Sequence, residues 1–235
     1  MLRIMTFILS TFTLLTSVCA QENCLEQIKA AYNKVYQISE SELKEDQSYY
    51  LNLLTKVSYF DEALPPEEVS QKVWTSSKNV KLVTPEIDFY QDEKDQFLVF
   101  KKEKAIYRYA ALPLKKPFPN DSLLKHASVT GCEVKEQGKE VTLHIDEVHQ
   151  NRLTVTGLVY QLDTVNNTIQ KITLHHKKQE GQAQQTSEYH FLEQGIINWG
   201  KENFLPVSKQ FLSNDQLKKQ WASYKYINMT QTAKK

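Results

Sequence analysis

Apolar and polar residues alternate along two long blocks of the chain, residues 50–110 and 141–192. In the first block, for example, Val57 and Tyr59 stand on either side of Ser58. A period of two is the pattern of a strand that buries one face, and short strands in close succession usually pair as antiparallel neighbours. The sequence therefore predicts two successive meanders of antiparallel strands.

Helical spacing of apolar residues appears at two places outside these blocks. Residues 24–39 carry an apolar stripe at intervals of three and four, and Asn23 can cap this helix. The stretch 113–119 is rich in proline and cannot hold a central strand. A short helix over 123–127 is expected directly after it.

The C-terminal tail allows two interpretations. A helix would begin at Asn214 or Asp215, which are capping residues. Its apolar side would hold Leu217, Trp221 and Tyr224. Alternatively, residues 226–229 form a last strand, and the sequence does not decide between the two.

Several predicted strands are apolar on both faces. In residues 97–100, Phe97 and Val99 alternate with Leu98 and Phe100, so no polar face remains. The strand 153–162, with Gly157 as a candidate bulge, shows the same tendency. Because an antiparallel sheet with one solvated face alternates cleanly, both faces here need cover from helices, a partner or a ligand.

The first twenty residues have the pattern of a secretory signal peptide. Arg3 precedes an apolar run, and Val18 and Ala20 are small residues before a cleavage point at Gln21. The run is short for a membrane span. We therefore expect cleavage after Ala20 and a mature chain of residues 21–235 in the periplasm or outside the cell, with a lipid anchor on Cys19 as the alternative.

Charge and cysteine content narrow the class of partners. Arg3 is the only charged residue before Gln21, so the net charge of +1 falls to 0 after cleavage, and nothing attracts nucleic acid. No segment of the mature chain is long and apolar enough to span a membrane. Cys24 and Cys132 would meet an oxidising compartment, where they either pair in a disulfide or remain two buried thiols.

Three stretches of the sequence, within residues 24–205, resemble the LolA-like periplasmic lipoprotein carriers and their LolB-like receptors. Residues 89–100 look like that family's hairpin of strand, acidic turn and aromatic strand, and residues 160–192 look like its long hairpin. Trp74 stands where the family often has an aromatic residue. Where the family has an arginine followed by proline, this sequence has residues 76–79, so Lys78 would take the basic part.

This resemblance implies a single α+β domain, a strongly curved antiparallel β half-barrel with helices covering its concave side. It further implies an apolar cavity that shields the acyl chains of a lipid or an acylated protein. The residues expected to line this cavity are Leu53, Val57, Trp74, Leu82, Phe89, Phe97, Val99, Tyr107, Val159 and Tyr160. Lys78 is expected at its gate or against the ligand's headgroup.

Motifs for metal binding and catalysis were not found in the sequence. There is no HExxH motif, paired-cysteine motif, G-x-S-x-G elbow or glycine-rich phosphate loop. His144 and Asp146 are the only local pair that resembles metal ligands, and two exposed strand residues explain them as well. We therefore expect a monomeric binding protein with no cofactor, metal or enzymatic activity. The alternatives are an envelope interaction module with a filled core and an unrecognised envelope hydrolase.

Overall fold

The computed structural model describes residues 23–32, 43–60, 64–76, 78–112, 124, 127–135, 138–145, 154–178 and 184–230. Most of them lie in antiparallel strands, as the alternating pattern predicts. The chain forms two compact units, both built from separate stretches of sequence. Unit 1 comprises Met1–Val35, Lys56–Glu67 and Pro119–His190, and unit 2 comprises Tyr36–Thr55, Glu68–Phe118 and Phe191–Lys235. The single-domain organisation of residues 21–235 stays a prediction.

Strands account for most of both units. In chain order they are β1 (Gln47–Tyr59), β2 (Glu67–Thr75), β3 (Val80–Val83), β4 (Ile87–Gln91), β5 (Asp95–Phe100), β6 (Ala105–Ala110), β7 (Ala127–Lys135), β8 (Gly138–Ile145), β9 (Val155–Asp163), β10 (Thr168–His176), β11 (Gln185–Asn198), β12 (Leu212–Ser213), β13 (Gln216–Leu217) and β14 (Lys225–Asn228). Residues 47–55 of β1 and 191–198 of β11 belong to unit 2, and the rest of each strand belongs to unit 1.

In unit 1, a helix covers one face of an antiparallel sheet. Its strands pair in the order β11-β10-β9-β8-β7. Residues 23–32 form helix α1, and its buried side holds Cys24, Ile28, Ala31 and Tyr32. Along β9, Leu158 is fully buried, and Thr156 bulges beside Gly157, where the register shifts by one residue. The bulge predicted at Gly157 is therefore confirmed.

A disulfide joins α1 to the sheet of unit 1. Cys24 and Cys132 are bonded, with their Cα atoms 6.4 Å apart, which confirms the pairing and excludes two separate thiols. Cys132 lies on β7 opposite Val141 of β8. The bond therefore fixes the start of α1 to the last strand in the order of this sheet.

Unit 2 carries the strand order β14-β6-β5-β4-β3-β2-β1. Strands β2 to β6 run antiparallel to their neighbours in this series, whereas β14 lies parallel to β6 with Ile227 opposite Tyr107. A five-residue helix, α2 (Val207–Phe211), follows a 3₁₀ helix at Lys201–Phe204, and a second 3₁₀ helix covers Lys219–Trp221. These segments supply apolar side chains to one face of the sheet.

Three local predictions differ from the structure. Strand β7 was not predicted, and Ala127 begins this strand rather than ending a helix, although Leu124 is helical. The tail helix is wrong, because Asn214 and Asp215 have φ of 51° and 61° and form the turn of the β12–β13 hairpin. Adjacent left-handed residues suit such a turn and do not start a helix. The alternative, a last strand, is confirmed by β14.

Five predictions lie outside the described residues. The signal peptide and Cys19 fall in residues 1–22, the end of the first helix in 33–39, and the proline-rich break in 113–119. Asp146, which forms the only local ligand-like pair with His144 in the sequence, also lies outside the described residues.

Candidate ligand-binding site

The register of unit 2 divides its apolar residues between two faces. Leu82 pairs with Phe89, which also pairs with Leu98, and Leu98 pairs with Tyr107. Paired residues share a face, so these side chains form one row, which we call the Phe89 face. All four are partly exposed.

The opposite side is the Phe97 face. Trp74 pairs with Lys81, Lys81 with Tyr90, and Tyr90 with Phe97. Phe97 stacks on Phe211 of α2 at a centroid distance of 4.6 Å, and Phe211 meets the edge of Tyr90 at 4.9 Å. Phe97 is 0% exposed. Near Phe97 this face is therefore solid core, and it cannot be an empty cavity.

The structure does not bring the ten predicted lining residues to one surface. In unit 2, Leu82, Phe89 and Tyr107 lie on the Phe89 face, while Phe97 and Val99 lie in the filled core of the Phe97 face together with Ile106. Trp74 also belongs to the Phe97 face. Strand parity separates the two groups in the sequence, but both are apolar, so the sequence does not show which face the protein's own core fills.

The remaining lining predictions fall on β1 and β9. Leu53 lies two residues before Thr55, whose hydroxyl accepts a hydrogen bond from Gln71 of β2, and this places Leu53 on the Phe89 face. Val57 is partly exposed in the portion of β1 that belongs to unit 1. Leu53 is therefore on the face of unit 2 opposite the core around Phe97.

Tyr160 and Val159 occupy opposite faces of β9 in unit 1. Tyr160 is 1% exposed, and its hydroxyl lies 3.0 Å from that of Tyr32 on α1. Val159 pairs with Thr142 and Thr173, on the polar side of the sheet. Tyr160 therefore fixes α1 to the sheet.

A pocket of about 340 Å³ opens in unit 2 at the end of the Phe97 face. Its lining residues are Leu43, Lys44, Glu45, Gln47, Ser76, Lys78 and Phe204. Lys78, the predicted gate residue, is thus at a cavity. The pocket combines cationic side chains with an aromatic ring, which suits a ligand that has both a polar and an apolar part.

Hydrogen bonds hold the pocket wall in place. The Ser76 hydroxyl accepts the backbone N–H of Lys78 and of Asn79, which tightens the β2–β3 turn. The buried Asn79 side chain donates to the carbonyl of Asn203, and the Asn203 side chain donates to the carbonyl of Trp199. This chain of contacts fixes Phe204 beside the Lys78 turn, so the pocket has a defined shape.

Four aromatic rings continue from the pocket along the sheet. Phe204 meets Trp199 edge to face at 5.2 Å, Trp199 stacks on Trp74 at 6.3 Å, and Trp74 contacts Tyr50 at 5.2 Å. We call these four residues the aromatic strip. Trp199 and Phe204 follow the last predicted strand and were missed, because only the fold brings them to Trp74.

A lysine lies beside the aromatic strip. The Lys81 ammonium lies 5.2 Å from the centre of the Trp74 ring and 5.3 Å from that of Tyr90, in cation–π range. Burial lowers the pKa of Lys81, and the charge of Asp88 opposes that effect. Asp88 itself pairs with Lys101 at 2.7 Å.

Two buried polar atoms on β1 lie on the same side as Tyr50. The Ser48 hydroxyl and the Asn52 carbonyl oxygen have no hydrogen-bond partner among the residues that the structure describes. Both residues are an even number of positions from Tyr50 and therefore share its face. Buried polar atoms are nearly always satisfied, so a ligand or water at this side of the strand would complete them.

A histidine and a serine in unit 1 meet the distance criterion for a nucleophile and its base. His176 Nε2 lies 2.9 Å from Ser187 Oγ. Ser187 is 5% exposed, however, so its hydroxyl is not open to a substrate. The contact is therefore interpreted as a structural hydrogen bond between β10 and β11.

Two further groups of predictions concern metals and membranes. Over the described part of the chain, no three His, Cys, Asp or Glu residues form a group that could hold a metal ion. His144 is exposed there, and His175 and His176 alternate on β10. Within the same residues, no helix has the length and apolar character needed to cross a membrane.

No protein-family model and no curated protein matches the sequence. Among solved structures, the chain is similar to an uncharacterised conserved protein from Thermus thermophilus, with 7% identity, a TM-score of 0.44, and coverage of 84% of this chain and 98% of that chain. It is similar to a LolA superfamily protein from Nitrosomonas europaea, with 10% identity, a TM-score of 0.31, and coverage of 76% and 98%. It is also similar to a putative outer membrane lipoprotein-sorting protein domain from Vibrio parahaemolyticus, with 13% identity, a TM-score of 0.34, and coverage of 76% and 94%. Two of these three structures belong to the class of proteins that residues 89–100 and 160–192 resemble in sequence.

Proposed function

We propose that the protein binds an amphipathic ligand with an acyl chain, such as a lipid or an acylated protein, in the cell envelope. The polar end of the ligand lies in the pocket of unit 2, and its chain lies along the aromatic strip. The observation that carries this proposal is the direct contact between Phe204, which lines the pocket, and Trp199 at the start of the strip.

The size of the pocket supports a ligand of this kind. A volume of about 340 Å³ falls at the lower end of the range for small-molecule sites, which suits a headgroup better than a whole lipid. Burial against apolar side chains contributes about 0.8 kcal/mol per methylene. Phe204 and Trp74 are partly exposed, whereas Trp199 and Tyr50 are buried behind them. An acyl chain lying on the exposed parts of Phe204 and Trp74 would therefore gain affinity with length, while the pocket selects the polar end.

The sequence and the disulfide together support an exported location. A bond between Cys24 and Cys132 persists in oxidising compartments, which supports export to the periplasm or beyond. We propose that the mature chain acts there as a monomeric carrier or chaperone for its ligand. The filled core around Phe97 leaves no room for a ligand there, so we propose that it binds at the pocket and the aromatic strip.

A brominated fatty acid tests the proposal, because bromine quenches tryptophan fluorescence on contact. All three tryptophans of the chain lie in unit 2, and two of them belong to the strip. We expect 12-bromododecanoate to quench the mature protein strongly, and dodecanoate to compete with it. Replacing Phe204 by Ala should raise the Kd of the probe, measured from its quenching, about tenfold. This change corresponds to roughly 1.4 kcal/mol of lost contact.

The matched control is Phe89→Ala, which removes an equally large ring from the opposite face of the same sheet. This variant should bind the probe as the unchanged protein does. If the mature protein neither takes up the probe nor carries co-purifying lipid in mass spectrometry of extracts, the carrier function is excluded. A protein-interaction module would then be the better description.

A further inference from the structure

The lysines around the pocket and the aromatic strip share a feature that bears on the ligand's charge. Lys44 and Lys78 line the pocket, and Lys81 lies against Trp74. Among the described residues, no carboxylate lies within ion-pair distance of any of these three ammonium groups. Three cations are therefore left without a direct counter-ion around one small region.

The buried carboxylates of the same unit are already engaged. Asp88 pairs with Lys101 at 2.7 Å, and Asp95 pairs with the Arg108 guanidinium at 2.8 Å. Asp92 accepts the backbone N–H of Val207 at 2.6 Å, as well as two N–H groups of its own turn. These acids cannot neutralise the pocket lysines without leaving their present partners.

Trp74 and Tyr90 bear on whether a cationic headgroup could bind in this region. Two aromatic faces on either side of a cation are the usual receptor for a quaternary ammonium group. Here both rings already hold the Lys81 ammonium, at 5.2 Å and 5.3 Å. A second cation entering beside it would meet like charge and would find no vacant ring pair at this position.

We propose that the polar end of the ligand is an anion, a carboxylate or a phosphate, which Lys44 and Lys78 bind in the pocket while Lys81 excludes cationic headgroups. This inference rests on the proposed function and specifies the charge of the ligand. Glu45 also lines the pocket, so its net charge without Lys81 is that of two lysines and one glutamate. An acidic group would form charge-assisted hydrogen bonds with the lysines, which are stronger than those to a neutral headgroup.

Ligands with one chain and different headgroups test the charge directly. Dodecanoate, dodecyl phosphate, monododecanoylglycerol and dodecyltrimethylammonium would each compete with 12-bromododecanoate below their micelle concentrations. We expect the two anions to bind about tenfold more tightly than the neutral ester, and the cation to bind most weakly. The two anionic arms distinguish a carboxylate from a phosphate, and inorganic phosphate alone tests whether the headgroup suffices.

Variants assign the effect to individual lysines. Lys44→Gln with Lys78→Gln should remove the preference for anions, and Lys81→Met should raise the affinity for the cationic ligand. The control is Lys72→Gln, which also removes one positive charge. Lys72 is exposed and lies two residues before Trp74, on the same face of β2. This control should leave the order of ligands unchanged, and added salt should reduce the preference for anions in the unchanged protein.

The outcomes separate this inference from the proposed function. If all four ligands compete equally well, the acyl-binding function stands and the anion preference is refuted. If the cation binds best, the assignment of Lys81 is overturned as well. If none of the ligands competes and the brominated probe does not quench, the proposed function itself fails.

Discussion

Unit 1 and unit 2 are built from the same kind of antiparallel strand, but they differ in how many faces of the sheet are apolar. In β9 of unit 1, Leu158 and Tyr160 are buried, while the other side holds the partly exposed Gln161 and Val159, and Val159 pairs there with two threonines. In β5 of unit 2, Phe97 and Val99 are buried, and Leu98 and Phe100 on the other side are apolar as well. Unit 1 therefore needs one covering element, and unit 2 has apolar surface beyond what its own core uses.

The way each apolar face is covered differs too. Helix α1 covers the sheet of unit 1 and is fixed to it by a disulfide and by the Tyr32–Tyr160 hydrogen bond. In unit 2 the segment around α2 fills the Phe97 face near Phe211, and the aromatic strip continues from there to a pocket. This comparison indicates that stability is concentrated in the covered regions, and the proposed function assigns ligand binding to the aromatic strip.

The largest expected effect on stability in unit 2 comes from Phe211→Ala. This change empties a space between Phe97 and Tyr90, both of which contact the Phe211 ring. Removing a fully buried phenylalanine costs about 3–5 kcal/mol, through lost burial and the cavity left behind. Urea unfolding followed by tryptophan fluorescence would measure the change in the free energy of unfolding.

Phe89→Ala tests the other half of the comparison within the same sheet. Phe89 is partly exposed, so its loss removes less buried area, and we expect a cost of about 1 kcal/mol or less. Equal destabilisation by the two variants would contradict the assignment of Phe97 and Phe211 to the core and of Phe89 to a surface.

In unit 1, the double variant Cys24→Ser with Cys132→Ser should lower the free energy of unfolding by about 2–5 kcal/mol. The bond spans a sequence separation of 108 residues, so it restricts the unfolded chain strongly. Amide hydrogen exchange should accelerate more in β7 to β10 than in β3 to β6. Uniform acceleration along the chain would show that the bond does not act on unit 1 in particular.

Features that depend on neighbouring residues could be predicted from the sequence, and features that depend on contacts between distant residues could not. The two blocks of antiparallel strands, residues 50–110 and 141–192, were predicted because period-two alternation between turns is a local signal. Strand β7 was missed because a proline-rich stretch and a capping sequence before Ala127 favoured a helix. The parity of Phe89 and Phe97 was visible, but which face would be filled depended on Phe211, more than a hundred residues later in the chain.

The candidate site shows the same limit. The resemblance to LolA-like carriers predicted Lys78 as a gate or headgroup residue, and the structure places Lys78 at a pocket. Its neighbour Phe204 was not predicted, because it reaches the pocket only through the Asn79–Asn203 hydrogen bond, across 124 residues of sequence. Contacts of this range leave no periodic signal in a single sequence.

A smaller effect is expected from Tyr160→Phe in unit 1. This change keeps the ring against Tyr32, at a centroid distance of 5.9 Å, and removes one buried hydroxyl. Losing the hydrogen bond should cost about 1 kcal/mol. Burial raises the pKa of Tyr160 to about 12, with the Tyr32 hydrogen bond acting in the opposite direction, so the buried phenol should stay protonated when exposed tyrosines ionise.

Tyr32→Phe and the double variant complete a thermodynamic cycle for this contact. If the hydroxyls act as a pair, the double variant should cost clearly less than the sum of the two single changes. Purely additive costs would show that the two hydroxyls do not stabilise one another, and the attachment of α1 would then rest on the disulfide and on apolar packing.

The smallest effect concerns the pH dependence of unit 1. Burial lowers the pKa of His176 below its ordinary value of 6.5, and the neighbouring His175 charge lowers it further, while a backbone hydrogen bond with Thr154 opposes both. The unfolded chain therefore takes up a proton at a higher pH than the folded protein does. The contribution of the neutral His176 to stability is therefore fully present above pH 6.5 and is lost as the pH falls from that value through the lower pKa of the folded protein. Urea midpoints at pH 7.5 and 5.5 should differ less for His176→Gln than for the unchanged protein, whereas the same change at the exposed His175 should leave more of the difference in place. Identical pH dependence in the unchanged protein and in His176→Gln would show that the contact with Ser187 tolerates a charged imidazole.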